Sequence, residues 1–329
     1  MDNFQLLKAE DYYQKLLTEV PKAKKRIVIA AMVVLWGERT APIFIMLQDA
    51  LKRGVEVTIL VDNFTRMTRL LGLKSTSSAG KERVRQTFRT LENLSAQGAK
   101  VCNFGKIGFP PQKGRCHVKV SIVDDTSFAF GGVNFNDESL DNIDYMLLRK
   151  DSEIADCLEQ LVKKICTTRP PLTDGEVELN KDIAVLFDGG RPGRSLIYER
   201  ACELAAQAQR IYFAGQMTPS GQLARLLRET DSTIYFNRPE QMAPLESIAQ
   251  AFDQQKYRVE NAYTGTEYIH AKLILFEMPG GRKALLSGSH NFSYRGVSFG
   301  TQEICLYSKN ASLWTKLHDY VQKHIAKAR

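Results

Sequence analysis

Residues 117–134 read HVKVSIVDDTSFAFGGVN and residues 270–291 read HAKLILFEMPGGRKALLSGSHN. Aligned on their first residue, both carry a histidine, a lysine two positions on, an acid seven positions on, then a Gly-containing turn ending in asparagine. The first copy supplies His117, Lys119, Asp124, Gly131, Gly132 and Asn134. The second supplies His270, Lys272, Glu277, Gly288, Ser289 and Asn291, with its turn lengthened by four residues around Pro279, Gly280 and Gly281. A longer hairpin loop leaves the flanking strands intact. One His-x-Lys alone arises readily by chance; the extended pattern found twice decides the reading.

Both stretches have a strand, turn, strand pattern, and side chains two apart on a strand point the same way. Each histidine therefore shares a face with its lysine, and the pair can converge on one anion. Asp124 and Glu277 lie at an odd offset near the strand end, which turns them away and gives them a supporting role rather than direct chemistry.

Working outward, the same grammar surrounds each motif. Residues 10 to 20 read as a helix, RIVIAAMVV (26 to 34) as a buried strand, APIFIMLQDALKR as an amphipathic helix stopped by Gly54, and VEVTILVDN as a strand. AKVCNF is a short strand, DYMLLRK another, and 151 to 166 a helix. TTRPPLTD (167 to 174) reads as a linker. After it the grammar restarts: a helix over 194 to 209, RIYFAGQM answering RIVIAAMV, the helix GQLARLLRE, the strand STIYFN, and TQEICLYS answering NIDYMLLR before a closing helix from about 311 to 327.

The expected fold is α/β, two similar α/β sandwich halves with mixed sheets, packed face to face as a pseudo-dimer. The expected domains are 1–168 and 169–329, each with one His-x-Lys motif, and a length of 329 residues suits two such units. The two motifs would then meet across a pseudo-twofold axis. One chain would complete the site, so a monomer is expected.

The six cysteines are scattered without Cys-x-x-Cys spacing, which indicates neither a zinc site nor a disulfide framework. No metal and no cofactor is expected. The longest apolar run, Ile27 to Trp36, is ten residues where a membrane span needs about twenty, so the protein is expected to be cytoplasmic, soluble or peripheral on a membrane. The net charge of +8 favours polyanions, nucleic acid or anionic lipid alike.

The pattern H-x-K-x4-[DE] followed by G-[GS]-x-N, present twice, resembles the phospholipase D superfamily over most of the chain. GGVN in the first copy, with HAK and GSHN in the second, is similar to the cardiolipin synthase-like phosphatidyltransferases. Glu277 in place of the usual Asp, the longer second turn and the lack of a membrane helix ahead of the first motif depart from that narrower group. The resemblance implies that one histidine attacks phosphorus while the other protonates the leaving oxygen; by analogy His117 is the nucleophile and His270 the general acid, then base. Lys119 and Lys272 would stabilise the equatorial oxygens, with Asn134, Asn291 and Ser289 as donors to phosphate. Asp144 and Glu303, in the parallel strings NIDYML and TQEICL, are candidates to orient the imidazoles. His290 lies inside GSHN, while His318 and His324 read as surface residues.

From Asn63 to Arg89 the chain carries Arg66, Arg69, Lys74, Lys81, Arg83, Arg85 and Arg89 against one acid, Glu82. This stretch reads as a contact for an anionic membrane or another polyanion, or as a solvated loop and helix. The loop bearing Phe104, Ile107 and Phe109 could dip into a bilayer or pack on the core. The leading expectation is a metal-independent phosphodiesterase or phosphatidyltransferase acting on phospholipids. A nuclease of the same fold cleaving DNA or RNA, and a catalytically silent binding scaffold, are the alternatives.

Overall fold

The computed structural model describes residues 4–67, 78–108, 113–168 and 170–327. Residues 68–77 of the basic stretch, and Phe109, lie outside them. In the first half β1 (Gln5–Lys8), α1 (Ala9–Glu19), β2 (Arg26–Ala31), α2 (Ala41–Lys52), β3 (Glu56–Asp62), α3 (Phe64–Met67), α4 (Ser78–Ala96), β4 (Lys100–Phe104), β5 (Val120–Val123), β6 (Thr126–Ala129), β7 (Tyr145–Lys150) and α5 (Ser152–Thr167) follow in order. The second half runs β8 (Gly175–Asn180), β9 (Ile183–Gly189), α6 (Leu196–Ala205), β10 (Arg210–Gly215), α7 (Gln222–Glu229), β11 (Asp231–Phe236), α8 (Pro244–Tyr257), β12 (Leu273–Glu277), β13 (Lys283–Gly288), α9 (Tyr294–Phe299), β14 (Gln302–Ser308) and α10 (Ala311–Val321).

Each half builds one seven-stranded mixed sheet, in the orders β1-β7-β6-β5-β2-β3-β4 and β11-β10-β12-β13-β14-β9-β8. Six strands correspond one to one: β1, β7, β6, β5, β2 and β3 match β9, β14, β13, β12, β10 and β11. The seventh differs, since β4 extends the first sheet beyond β3 and β8 extends the second beyond β9. The pairs β2–β3, β3–β4 and β10–β11 are parallel; the motif hairpins β5–β6 and β12–β13 are antiparallel.

Side-chain alternation explains the layering. One face of the first sheet packs under α1, α2 and α4 through Tyr13, Phe44, Leu47, Phe88 and Leu91. The corresponding face of the second packs under α6 and α7 through Ile197, Ala201, Leu223 and Leu227. The opposite faces share one central core with α5 and α10, in which Val28, Val120 and Leu147 join Leu158, Leu273, Ile304 and Leu317. The two halves are thus joined by a common apolar layer, which a chain cut at residue 168 would expose.

β1, β8, β9 and α8 are among the elements that differ from the sequence reading. β1 precedes the first helix, and its four residues are too few to display alternation. β8 and β9 fill a stretch left without structure; β9 is buried along its whole length and shows no alternating pattern. The helix α8 escaped because its apolar residues do not form a core-facing stripe. Asp124 does hold a structural position: its carboxylate accepts the backbone N–H groups of Lys24, Lys25 and Arg26 and so fixes the entry into β2. Glu277 pairs with Lys283 across the β12–β13 turn.

Candidate active site

The two motif histidines sit three residues ahead of β5 and β12, in segments whose backbones cross-pair with the other half. His117 N–H donates to the carbonyl of Gln302 at 2.8 Å and Gln302 N–H to that of Arg115 at 2.7 Å. In the same way His270 N–H donates to the carbonyl of Ile143 at 3.0 Å and Ile143 N–H to that of Tyr268 at 2.9 Å. Each exchange puts the next residue of β14 or of the segment entering β7 opposite the other half's histidine. These residues are Glu303 and Asp144.

The carboxylates accordingly meet the histidines crosswise. His117 Nδ1 lies 3.0 Å from Glu303 Oε2, and His270 Nδ1 lies 2.7 Å from Asp144 Oδ2. A carboxylate on Nδ1 fixes a proton there and leaves Nε2 as the lone-pair nitrogen. Both imidazoles keep a sliver of exposure, 8% and 7%, whereas Lys119 and Lys272 lie deeper at 1% and 0%. It is the rings, not the ammonium groups, that face the opening.

Each lysine folds back on its own motif. Lys119 Nζ donates to the His117 carbonyl at 2.7 Å, and Lys272 Nζ to the His270 carbonyl at 2.5 Å. Burial, with the charge of Lys272 nearby, pushes Lys119 down to about 7 despite Glu303 and Asp144. Burial brings Lys272 down to about 8 against the same two carboxylates. His270 falls to about 4 through burial and the charge of Lys272, and His117 is lowered by burial against the pull of Glu303. Glu303 drops to about 2, because His117, His290 and Lys119 outweigh its burial. Burial thus disfavours both ammonium cations, keeps both imidazoles neutral near pH 7, and leaves an ionised carboxylate behind one of them.

Gly132 and Ser289 occupy matching positions and do the same job by different means. Gly132 N–H donates to Asp144 Oδ1 at 3.0 Å, while Ser289 Oγ donates to Glu303 Oε2 at 2.5 Å. A Cβ at Gly132 would come within 2.4 Å of the His270 carbonyl and 2.6 Å of the Asp144 carboxylate, so only glycine fits there. Ser289, expected at the phosphate, therefore uses its one proton on Glu303. Asn134 accepts Val33 N–H at 3.3 Å, which turns its amide nitrogen elsewhere, whereas Asn291 Oδ1 is buried with no partner among the described residues.

His290 is buried and accepts Phe292 N–H on Nδ1 at 2.9 Å, and burial holds it near 4, so it serves as a neutral structural ring. His318 stacks on Trp314 in α10, and His324 lies against Tyr320. Among the described residues no group of three His, Cys, Asp or Glu is placed to hold a metal ion.

Asp62 and Asn237, at the ends of β3 and β11, escaped the sequence reading. Asp62 Oδ2 accepts Cys116 N–H at 2.7 Å and Oδ1 meets Arg115; Asn237 Oδ1 accepts Ile269 N–H at 2.7 Å while its amide donates to the Ile269 carbonyl. Each thus clamps the residue just before a motif histidine. One is an acid and one an amide, so no shared letter marks the role.

Residues 16–166 match the family model described as cardiolipin synthase, PLD-like domain. No curated protein matches the chain. Among solved structures, the fold is similar to phosphatidylserine synthase of Haemophilus influenzae Rd KW20, with a TM-score of 0.72 at 16% identity over 98% of this chain and 86% of that one. It is also similar to polyphosphate kinase from Porphyromonas gingivalis, with a TM-score of 0.61 at 12% identity over 96% of this chain and 49% of that one. At such identities the likeness speaks for the fold.

Proposed function

We propose that the chain, whose residues 16–166 match the cardiolipin synthase, PLD-like domain model, is a phospholipase D superfamily enzyme that cleaves or exchanges phosphodiesters of phospholipids through a phosphohistidine intermediate. The observation that carries this reading is the crosswise pairing of His117 with Glu303 and His270 with Asp144, which leaves two Nε2 atoms and two buried lysines to address one phosphate. In the first step His117 Nε2 attacks phosphorus, the N–P bond forms, the P–O bond to the leaving group breaks, and His270 gives that oxygen its proton. In the second, His270 takes a proton from water or an alcohol, whose oxygen attacks phosphorus and releases His117.

The electrostatics support this sequence. His117 is neutral and so nucleophilic in the free protein, with ionised Glu303 behind it to stabilise the charge that grows on the ring. His270 is neutral too, and the charge of the arriving phosphate raises it toward the protonated form that an acid requires. The same phosphate offsets the burial that depresses Lys119 and Lys272, and the charge of Lys272 that adds to it at Lys119, so that their cations face the oxygens where charge develops in the transition state. A phospholipid substrate is favoured by the cardiolipin synthase description of the matched family and by the likeness to a phosphatidylserine synthase.

The test incubates EDTA-treated protein with labelled phosphatidylglycerol, and in parallel with labelled single-stranded DNA and RNA. Lipid turnover that disappears in His117→Ala and His270→Ala is expected. Cleavage of nucleic acid without lipid turnover would replace the reading with that of a nuclease.

A further inference from the structure

The helix α8 carries the most exposed apolar side chain of the described protein, Ile248 at 69%, and one turn later Phe252 at 60%. Pro244 and Ala251, also exposed, lie on the same side at helical spacing. Single exposed apolar residues are ordinary, but a matched pair on one face of a helix is not. The opposite face of α8 is tied down. Gln250, buried, accepts Thr218 N–H at 2.9 Å and donates to the Asn237 carbonyl at 2.6 Å. Arg295 holds the Ala249 carbonyl and Asp253.

These anchors place α8 beside the active site. Asn237 is the clamp on Ile269, the residue before His270, and Arg295 belongs to the helix that follows Asn291. On the first half, Ile107 is 60% exposed in the loop after β4, a loop joined to the segment that leads into His117 because the Lys106 carbonyl accepts Arg115 Nη2 at 2.7 Å. Both apolar features follow the carboxyl ends of parallel strands, β11 and β4, the edge where open α/β sheets form their sites.

Cations accompany them. Lys256 lies 5.8 Å over the Phe252 ring. Lys106 and Lys113 flank Ile107 and Gly114, and Gly114 N–H donates to the Phe299 carbonyl. Arg191 and Arg194 sit in the Gly190–Ser195 loop, which Gly193 N–H fastens to Val297. Lys106, Lys113, Arg191 and Arg194 form no ion pair among the described residues. The acids of α8, Glu246 and Asp253, are drawn to Arg295 on the inner side. Glu240, four residues ahead of the helix, and Glu260, three beyond its end, are the nearest exposed acids in sequence.

We propose that this face is a docking surface for an anionic phospholipid bilayer, with Ile248 and Phe252 of α8 inserted at the headgroup level on one side of the active-site mouth and Ile107 on the other. Wet apolar side chains ringed by unpaired cations fit a surface that is negative outside and apolar beneath. Among the described residues of the basic stretch 63–89, Arg66 lies over the Phe88 ring, Arg83 pairs with Glu138, and Arg85 with Glu82. Docked this way, the mouth opens onto the headgroup layer, so a lipid could present its phosphate with its acyl chains still in the membrane. The inference rests on the lipid reading of the site.

Flotation with vesicles of phosphatidylcholine and phosphatidylglycerol tests it, using the wild type, Ile248→Ser/Phe252→Ser, and Arg191→Glu/Arg194→Glu. The wild type should float at low salt and far less at high salt or on phosphatidylcholine alone, and each double variant should bind at least tenfold more weakly with an unchanged melting temperature. Turnover of a short-chain phosphatidylglycerol below its micellar concentration should be the same in wild type and variants, while turnover in vesicles falls. Vesicle binding undiminished in Ile248→Ser/Phe252→Ser, or a wild type that does not bind, overturns the docking surface even if short-chain lipid is consumed. Binding that follows the prediction while no lipid of either form is consumed would leave the surface standing and remove the proposed activity.

Discussion

Asp144 and His270 stand 126 positions apart in sequence and 2.7 Å apart in space, each contributed by a different half of the chain. Glu303 and His117 repeat the arrangement in the other direction at 3.0 Å. Neither half contains a finished histidine–carboxylate pair. Completion of both pairs is thereby coupled to the packing of the two sheets against their common core.

Removing the charge from either carboxylate while keeping its shape should therefore disable the chemistry more than the fold. Asp144→Asn and Glu303→Gln are each expected to lower kcat by about 10²–10⁴-fold, the usual range for a lost acid–base partner, with KM changed little. Steady-state kinetics alongside thermal melts would check this. A fall in melting temperature that accounted for the whole activity loss would reduce both residues to structural supports.

The buried lysines make a prediction about pH. Lys119 near 7 and Lys272 near 8 lie below the ordinary 10.5, so between those values the unfolded chain binds more protons than the native one. Stability then rises with pH across that window, and the lysines' contribution is lost as pH falls toward 7. The histidines act in the same sense lower down: His270 and His290, near 4 instead of 6.5, withdraw stability as pH falls from about 6.5 to 4. Substrate binding should run the other way at the upper end, with KM for an anionic lipid rising above about pH 8 as the ammonium groups deprotonate. Denaturant melts and KM measured from pH 5 to 10 test both trends. Lys272→Met should be inactive, and the rise of its stability between about pH 8 and 10.5 should be smaller than in the wild type.

Asp62→Ala should be among the most damaging changes away from the histidines. It leaves the buried Arg115 guanidinium without its 3.0 Å partner and Cys116 N–H without an acceptor. Breaking a buried pair from one side costs about 3–5 kcal/mol. Asn237→Ala, which strands no charge, should cost less, about 1–3 kcal/mol. Equal losses in urea denaturation would contradict the extra cost assigned to the Asp62–Arg115 pair.

How far the sequence carried this site follows from where its information lies. The His-x-Lys spacing is local and repeats, so the histidines, the lysines and the duplicated hairpins are legible without coordinates. Asp144 and Glu303 could be picked out because NIDYML and TQEICL run in parallel. Their crosswise pairing could not, since it depends on the backbone exchange between Cys116 and Gln302 and between Ile143 and Ile269. Ser289 reads as a phosphate ligand from its place in the Gly-rich turn, but the fold brings the carboxylate of Glu303, 14 positions on, to its hydroxyl. Asp62 and Asn237 stayed hidden because an acid and an amide do the same work at strand ends whose neighbours differ.

The assignment of the two histidines is open to a direct test. The half-sites are unequal: Glu303 receives a serine proton where Asp144 receives the backbone N–H groups of Gly132 and Tyr145, and Asn291 lacks the partner that Asn134 has in Val33. An ionised Glu303 near 2 keeps His117 hydrogen-bonded to a full negative charge, which favours it as the atom that takes phosphorus. If His270 supplies and then recovers the proton, His270→Ala should retain slow attack on a substrate with a good leaving group but release the covalent product far more slowly. Acid-free quenching of labelled p-nitrophenyl phosphodiester reactions, followed by peptide mass spectrometry, should find phosphohistidine at position 117 in wild type and more of it in His270→Ala. Label on His270, accumulating in His117→Ala, would exchange the two roles while leaving the crosswise carboxylates in place.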